Sequence, residues 1–449
     1  MNASLWLTSP VGAVLGVMLT AALAWGPLRW PELPVAAAAV LALLLLGALQ
    51  PAQLLALPGN ELLWLMAGAG VLGAVLQAQG VVQRVAALAL RGQPGFATLC
   101  WRLTALVGAT AWLLPSTSAR AALCLPLFDG LTTHLPRAGQ RRTLALLLPT
   151  TVLLSAGGSL LGAGAHLIAI DSLRAQGLPA PSYLGWLVWA APFAVASCAL
   201  ATAVLLRVFT DPAQRHAQLL VDTSDAGPWS PVQRRLLGVV GLTVLLWAVG
   251  PVWGLGPAPV AVGAALLVAW PRVGGTDVRV ALRGLDLRLL AFLAAGLLLA
   301  DAVVGSGAAS AVAQALADPA RSLGGVGLLA LVVTVSLLLH VLIGSRSARV
   351  AVLLPVLVLP LALALPGGGG VSAPVLVMAA VLGTGFCQTL AISSKPMLLF
   401  ACHPASGLVP SDLLRLSACL FPLLWLLLMG FGLFVWPALP LPSIHPAAP

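Results

Sequence analysis

Residues 116–126 read Ser-Thr-Ser-Ala-Arg-Ala-Ala-Leu-Cys-Leu-Pro, and residues 345–355 read Ser-Arg-Ser-Ala-Arg-Val-Ala-Val-Leu-Leu-Pro. Both fit the pattern Ser-x-Ser-Ala-Arg-[Ala/Val]-Ala-[Leu/Val]-x-Leu-Pro, and the copies begin half a chain apart. Each copy places small hydroxyl residues and an arginine inside an otherwise apolar region. A polar pattern repeated in this way within hydrophobic segments is typical of an internally duplicated membrane transporter.

The composition is that of a membrane protein. Of the 449 residues, 60% are hydrophobic and only 8% are charged, whereas a soluble domain carries about 25% charged residues. Apolar runs such as 33–57, 183–206 and 413–436 have the length that spans a bilayer. Because the alternation typical of a β-barrel is absent, we predict an all-α polytopic membrane protein.

The net charge of +10 comes almost entirely from arginine, since Lys395 is the only lysine. The arginines lie in short loops between apolar runs, where the positive-inside bias explains them better than nucleic-acid binding does. We therefore expect a lipid bilayer as a partner, and no nucleic acid. The six cysteines show no metal-binding spacing, so no cofactor is expected.

We predict ten membrane crossings and two hairpins. The crossings lie at about residues 10–26, 34–57, 62–79, 143–170, 183–207, 236–253, 257–271, 289–305, 373–402 and 411–436. Each repeated motif lies between two short apolar arms, 97–115 with 119–133 and 327–344 with 347–365. A break of this kind suggests a re-entrant hairpin whose tip lies at membrane depth.

Loop charges predict the topology. Three arginine-rich loops, within 137–142, 207–235 and 272–288, fall on one side, which the positive-inside bias assigns to the cytoplasm. The uncharged loop 366–372 follows the second hairpin and falls on the other side. Equivalent loops on opposite faces indicate two inverted-topology repeats, each of five transmembrane helices plus a re-entrant hairpin. The protein would be a multi-pass protein of the cytoplasmic (inner) membrane with both termini outside the cytoplasm.

These predictions divide the chain into four parts. The first repeat covers 1–209, with its hairpin tip near 116–118 and a broken helix at 143–170. A cytoplasmic linker follows at 210–234. The second repeat covers 235–437, with its tip near 345–347 and a broken helix at 373–402, and residues 438–449 form a C-terminal tail.

Four short stretches resemble a known family. Ser116-Thr117-Ser118 and Ser345-Arg346-Ser347 resemble the Ser-Asn-Thr motifs that the divalent anion/sodium symporters, members of the ion transporter superfamily, carry at two hairpin tips. Ser159–His166 and Ile392–Pro396 fall where that family has a Thr-Pro-Pro-Asn-type loop at a helix break. The resemblance covers roughly residues 10–437 by layout.

The resemblance implies a secondary active transporter of small anions, either a di- or tricarboxylate or a sulfate-like dianion. It also implies Na⁺ or H⁺ as a coupling ion, and an elevator motion of a transport domain against a homodimeric scaffold. The implied substrate-binding residues are Ser116, Thr117, Ser118, Ser345, Arg346, Ser347 and Lys395. The implied cation-binding residues are Ser116, Ser118, Ser159, Gly162 and His166, with Arg120, Arg349, Ser393 and Ser394 in supporting roles.

The chain departs from the family at the tips, where Thr117 and Arg346 stand in place of asparagine. An anion entering a low-dielectric site loses hydration, which hydroxyls, helix N-termini and cations must replace. We hypothesise that Arg346 and Lys395 permanently supply the charge that one bound sodium supplies in the family. A cation inside the membrane costs about 2.5–3.5 kcal/mol on insertion scales and is therefore a functional candidate.

Other interpretations of the charged residues stay open. Arg346 could instead snorkel to an interface, and Lys395 could mark a cytoplasmic helix end. His166 could be a proton site or a hydrogen-bonded core residue. Two further arginines could bind substrate or, as we favour, brace the hairpins against a carbonyl or acidic partner; the arginines are Arg120 and Arg349, and the acidic candidates include Asp171, Asp301 and Glu61.

Other functions also stay open. The chain could be the membrane subunit of a binding-protein-dependent anion transporter, or a sodium-independent exchanger of the same fold. An intramembrane enzyme is disfavoured because the sequence has no His-Glu-x-x-His, no Gly-x-Ser-x-Gly and no paired aspartates on adjacent spans. We therefore expect a transporter and not an enzyme.

Overall fold

The computed structural model describes residues 9–26, 28–81, 84, 95–112, 114, 116–133, 135, 137–217, 228–364, 371–440 and 443–444. The uncharged loop 366–372, the linker 210–234, the tail 438–449 and the N-terminal end lie partly outside the described residues. Within the described ranges the chain is mostly helical, which confirms the predicted class.

Nine helices make up the described part of residues 1–209. They are α1 (Pro10–Trp25), α2 (Glu32–Leu45), α3 (Pro51–Ala56), α4 (Glu61–Ala78), α5 (Phe96–Ala109), α6 (Thr117–Thr132), α7 (Ala138–Ala156), α8 (Gly164–Ala175) and α9 (Tyr183–Phe209). A short helix, α10 (Pro212–His216), begins the linker.

The helices of the remaining described residues are α11 (Pro231–Val249), α12 (Pro257–Ala269), α13 (Pro271–Gly274), α14 (Val278–Leu282), α15 (Leu287–Gly305), α16 (Ala308–Leu338), α17 (Arg346–Leu353), α18 (Leu359–Ala364), α19 (Ala373–Gly383), α20 (Lys395–Ala401) and α21 (Pro410–Gly430). Two short strands, β1 (Ala180–Pro181) and β2 (Ser443–Ile444), pair antiparallel and tie the tail to the segment before α9.

Polar caps fix where the apolar helices begin. Ser182 Oγ accepts the N–H of Gly185 at 3.0 Å at the start of α9. Asp286 Oδ1 accepts the N–H of Leu289 at 3.0 Å at the start of α15. The first N–H groups of a helix have no partner within it, and they are costly to leave unpaired in lipid. Isolated polar residues in the apolar sequence therefore mark helix boundaries.

Seven helical segments of the described chain are long and apolar enough to cross a membrane, so the protein is a multi-pass membrane protein. The segments are Glu61–Ala78, Tyr183–Phe209, Pro231–Val249, Val278–Gly305, Ala320–Val341, Arg346–Ala364 and Pro410–Val435. Two of the seven are arms of the second hairpin, which the predicted count left out. Four other apolar helices, α1, α2, α12 and α19, are shorter, so the count of ten crossings stays a prediction.

The predicted crossing 34–57 is wrong as a single helix. Helix α2 ends at Leu45 and α3 begins only at Pro51. Between them Gly47 adopts a φ of +69°, a left-handed conformation that glycine reaches without steric cost. The apolar run continues through this turn, so hydropathy alone does not reveal it.

Two long helices are interrupted in the middle. Helix α7 ends at Ala156, and α8 begins at Gly164 after a 3₁₀ turn at Leu160–Gly162. Helix α19 ends at Gly383, and α20 begins at Lys395 after a 3₁₀ turn at Ala391–Ser393. We call residues 157–163 the first break and residues 384–394 the second break. At both breaks some backbone N–H and C=O groups lose their helical hydrogen-bond partners, and most of the residues there are buried.

The helices that carry the repeated motif pack crosswise. Helix α17, which begins at the second motif, packs against α8 beyond the first break. Helix α6, which begins at the first motif, packs against α20 beyond the second break. Each motif helix therefore rests on a broken helix from the other half of the chain.

The apolar core has two parts. One large cluster runs through the motif helices and both broken helices. A second, smaller cluster lies between α4, α11 and α12, around Val75, Leu236 and Val268. Helix α4 also packs closely against the backbone at Gly284. A Cβ atom at Gly70 would lie only 2.5 Å from the Gly284 carbonyl oxygen, so this position has no room for a side chain.

Candidate functional site

Both motifs begin a helix with a serine cap. Ser116 Oγ accepts the N–H of Ala119 at 3.2 Å, and Ser345 Oγ accepts the N–H of Ala348 at 3.3 Å. These two hydroxyl oxygens hold the first turns of α6 and α17. Their O–H groups are still able to donate to a ligand.

The arginine of the first motif is buried and fully paired. Arg120 is 1% exposed. Its guanidinium donates to four acceptors, which belong to α5, α7 and the turn that follows α5. They are Thr110 Oγ1 (2.8 Å), Val152 O (3.0 Å), Val107 O (2.7 Å) and Ser155 Oγ (2.7 Å). Arg120 therefore ties the tip helix α6 to its neighbours.

Arg349, in the second motif, has the same role at the second break. It is fully buried and donates to Thr384 O at 2.8 Å, to Phe386 O at 3.3 Å and to Cys387 Sγ at 3.0 Å. Carbonyls at the end of α19 lack helical partners, and a cation there is favourable. Both motif arginines thus brace through carbonyl, hydroxyl and thiol groups. Of the two kinds of partner suggested, the structure supplies carbonyls and no carboxylate, since the ion pairs of the described residues include neither Arg120 nor Arg349.

Arg346 differs from the other two arginines because it is incompletely paired. Its side chain makes two long hydrogen bonds, to Thr384 Oγ1 at 3.4 Å and to Val381 O at 3.3 Å. Its Nη1 atom is buried and has no hydrogen-bond partner within the described chain. The ion pairs found among the described residues do not include Arg346. The guanidinium therefore has a free donor and no neighbouring carboxylate.

The second tip lies against the first break. Arg346 Nη2 is 4.0 Å from the point where a side chain at Gly157 would begin, and Ser347 Oγ is 3.5 Å from the equivalent point at Gly164. Both values correspond to ordinary van der Waals contact between the tip and these glycine positions. The structure therefore brings Arg346 and Ser347 together with the first broken helix.

His166 follows the first break and is fully buried. Its Nδ1 atom lies 2.8 Å from Ser159 O and 3.3 Å from Leu160 O. Ser159 is a predicted cation-binding residue, and its carbonyl oxygen is already hydrogen-bonded to the His166 ring. The ring packs on Trp186 at a centroid distance of 4.7 Å, with the two ring planes tilted by 32°, and Trp186 Nε1 donates to Gly157 O at 2.9 Å. His166 Nε2 has no partner in the described residues.

The remaining predicted residues occupy varied positions. Thr117 and Ser118 are partly buried at the start of α6, while Gly162 packs against the backbone of Ala156 with no room for a side chain. Lys395 is exposed at the start of α20, unlike Arg346. Of the supporting serines, Ser394 caps α20 by accepting the N–H of Met397 at 3.3 Å, and Ser393 Oγ is buried without a partner in the described chain.

Trp186, Gly157 and Thr384 join the site without having been predicted. Trp186 is 1% exposed and packs between the first break and the His166 ring. Thr384 supplies both a hydroxyl to Arg346 and a carbonyl to Arg349. No sequence pattern distinguishes these residues from their neighbours, because their roles arise from packing between distant segments.

Two solved structures share the fold. The YdaH transporter of Alcanivorax borkumensis matches with a TM-score of 0.60 and 18% identity, over 85% of this chain and 86% of that chain. MtrF of Neisseria gonorrhoeae, described with a class of antimetabolite efflux pumps, matches with a TM-score of 0.55 and 15% identity, over 87% and 83%. At these identities the likeness concerns the fold alone. No curated protein matches the sequence.

The citrate transporter (CitMHS) family model matches residues 5–385. This family and the divalent anion/sodium symporters, which the motifs resemble, are different branches of the ion transporter superfamily, so the expectation is confirmed at the level of the superfamily. Together with the transporter neighbours, the match indicates a transport protein and not an enzyme, as predicted. The chain belongs to the citrate transporter family.

Proposed function

We propose that this protein is a secondary active transporter of di- or tricarboxylates, or of a sulfate-like dianion, across the cytoplasmic membrane. The observation that carries the proposal is the incomplete pairing of the Arg346 guanidinium. Its guanidinium has a buried Nη1 donor without a partner, and no carboxylate of the described residues pairs with it. The Arg346 side chain as a whole is partly buried, and a buried donor of a charged group without a partner is costly, so a bound anion would complete the site.

The surroundings of Arg346 support a carboxylate or a similar oxyanion as the ligand. A guanidinium presents forked donors that match two oxygens of such a group. The hydroxyl of Ser347 lies beside Gly164 at the same junction and can add a further donor. The name of the family, citrate transporter, supports a di- or tricarboxylate over sulfate.

We further propose that one coupling cation is replaced by fixed charge in the second half. Arg346 and Arg349 already donate to oxygens around the end of α19 (Val381 O, Thr384 Oγ1, Thr384 O and Phe386 O), where backbone oxygens would otherwise be free to bind sodium. In the first half Arg120 likewise donates to oxygens near the end of α7, Val152 O and Ser155 Oγ, but Thr117 stands at the position of Arg346, so only one guanidinium acts there. This asymmetry favours at most one coupling cation, bound near the first tip, or sodium-independent exchange. Lys395 is exposed, and its contribution to the site stays a prediction.

The inverted-repeat and elevator parts of the proposal rest on packing. The crosswise contacts of α6 with α20 and of α17 with α8 are what two inverted halves would make. The separate apolar cluster of α4, α11 and α12 is a candidate scaffold against which the motif helices could move. We propose that the protein forms a homodimer through this scaffold.

Loop contacts support the proposed topology. Arg142 Nε donates to Gly407 O at 2.9 Å, and Gln233 Nε2 donates to Gln79 O at 2.9 Å. In each pair both partners come from loops assigned to the cytoplasm. The strands β1 and β2 pair two segments that are assigned to the opposite side. The contacts therefore agree with C-terminal residues outside the cytoplasm.

Uptake into proteoliposomes tests the proposal. Labelled citrate, succinate and sulfate are offered with a sodium gradient, with a proton gradient, with an internal anion for exchange, or with none. We expect uptake of at least one carboxylate by the purified protein alone, and loss of that uptake in Arg346→Ala. Absence of uptake of all three anions under every condition would contradict the proposal. Uptake that requires an added soluble anion-binding protein would favour the binding-protein-dependent alternative.

A further inference from the structure

The protonation pattern of His166 follows from its contacts. The Nδ1 atom faces two carbonyl oxygens, Ser159 O at 2.8 Å and Leu160 O at 3.3 Å. Carbonyl oxygens only accept hydrogen bonds, so Nδ1 must carry a proton. In the neutral imidazole the other nitrogen, Nε2, is then a bare acceptor.

This acceptor is buried and unsatisfied. The residue has no exposed surface, and Nε2 has no hydrogen-bond partner within the described residues. Packing against the tilted Trp186 ring and the two carbonyl contacts hold the imidazole in place. Buried acceptors are rarely left unpaired in proteins, and each exception calls for an explanation.

An unsatisfied donor lies nearby. Arg346 Nη1 is the buried, unpartnered donor of the second tip. Arg346 Nη2 lies 4.0 Å from the Cβ position of Gly157, and the Gly157 carbonyl accepts the Nε1–H of Trp186, whose ring packs on His166. The second tip and the first broken helix thus each supply one buried polar atom, a cationic donor and a neutral acceptor, that has no partner among the described residues.

We propose that His166 is a specificity residue that accepts a hydrogen bond from the substrate. This inference rests on the proposed function, in which Arg346 binds the charged group of the anion. The substrate would carry an O–H or N–H donor beside that charged group, as a hydroxycarboxylate or a singly protonated oxyanion does. An anion that lacks the donor would leave Nε2 buried and unpaired, and would bind about 5- to 150-fold more weakly.

Two ligand pairs test the inference on the reconstituted protein. Malate is succinate with one added hydroxyl, and tricarballylate is citrate without its hydroxyl. Each anion competes against uptake of labelled citrate, or of whichever labelled anion is transported. In the wild type we expect the hydroxylated member of at least one pair to compete at a concentration at least five-fold lower. Equal potency within both pairs would overturn the inference and leave the proposed function standing.

Substitutions of His166 separate recognition from structure. His166→Phe keeps a flat ring against Trp186 and removes the acceptor, so the preference for the hydroxylated anion should fall to within two-fold. His166→Gln keeps an acceptor oxygen and should retain part of the preference. A purely structural residue would weaken both members of a pair together, and an unchanged ratio in His166→Phe would therefore overturn the inference. Absence of uptake of any anion would overturn the proposed function itself.

Discussion

Replacing Arg346 by glutamine should weaken anion binding without weakening the fold. Among the described residues this side chain makes only two hydrogen bonds, at 3.3 and 3.4 Å, and no ion pair. Losing these two hydrogen bonds should lower the free energy of unfolding only a little. Removing a charge that has no counter-charge should offset part of that decrease. We therefore expect the apparent melting temperature of the purified protein to stay within about 2 °C of the wild type, since 1 kcal/mol corresponds to only about 2–4 °C in domains of 150–250 residues.

The loss of affinity should be much larger. A hydrogen bond to a charged group contributes about 1.5–3 kcal/mol, which corresponds to a roughly 10- to 150-fold higher dissociation constant for a carboxylate in Arg346→Gln. Arg346→Lys keeps the charge and loses the fork, so its affinity should be intermediate. Isothermal titration of the detergent-solubilised protein with citrate or succinate measures both variants.

Arg349→Gln is the matched control. Arg349 is fully buried, and its guanidinium donates to Thr384 O at 2.8 Å and to Cys387 Sγ at 3.0 Å. Removing it should cost about 3 kcal/mol or more, because several buried acceptors lose a charged partner. The reasoning is refuted if Arg346→Gln binds anions like the wild type, or if it lowers the melting temperature as much as Arg349→Gln does.

Three further predictions address coupling and packing. Anion uptake should depend on sodium no more steeply than first order, because fixed guanidiniums occupy the second-half oxygens; a Hill coefficient near two in a sodium titration of uptake would contradict this. Arg120→Gln should lower the melting temperature about as much as Arg349→Gln, since four buried acceptors lose their donor, and an unchanged value would show that the brace is dispensable. Trp186→Phe should cost about 1–3 kcal/mol by leaving Gly157 O unpaired, whereas Trp64→Phe, which removes an exposed hydrogen bond to Pro58 O, should change the melting temperature little; equal effects would refute the difference.

Much of the fold follows from local patterns in the sequence. The duplicated motif predicts two equivalent helix starts, and Ser116 and Ser345 do cap helices at the same position of each copy. Apolar run length predicts most of the helices, because a bilayer sets their minimum length. The turn at Gly47 escapes this reasoning, since an αL glycine within an apolar run changes the backbone without changing hydropathy.

The contacts of the site were less predictable. Backbone carbonyls leave no signature in a sequence, so carbonyl and carboxylate partners of Arg120 and Arg349 could not be told apart, whereas the structure supplies carbonyls and hydroxyls. The approach of Arg346 to Gly157 joins residues from opposite halves of the chain. Such a contact depends on how the helices pack, which neither motif spacing nor hydropathy contains.

The crosswise packing has a consequence for biogenesis. Helix α6 is synthesised about 280 residues ahead of its partner α20, which corresponds to roughly 14–56 s at 5–20 residues per second. During that interval the Arg120 guanidinium lies in a membrane protein whose second half has not yet been synthesised. All four acceptors of Arg120 lie within 35 residues of it in the chain. Its charge can therefore be satisfied as soon as α7 is inserted, before the second half of the site exists.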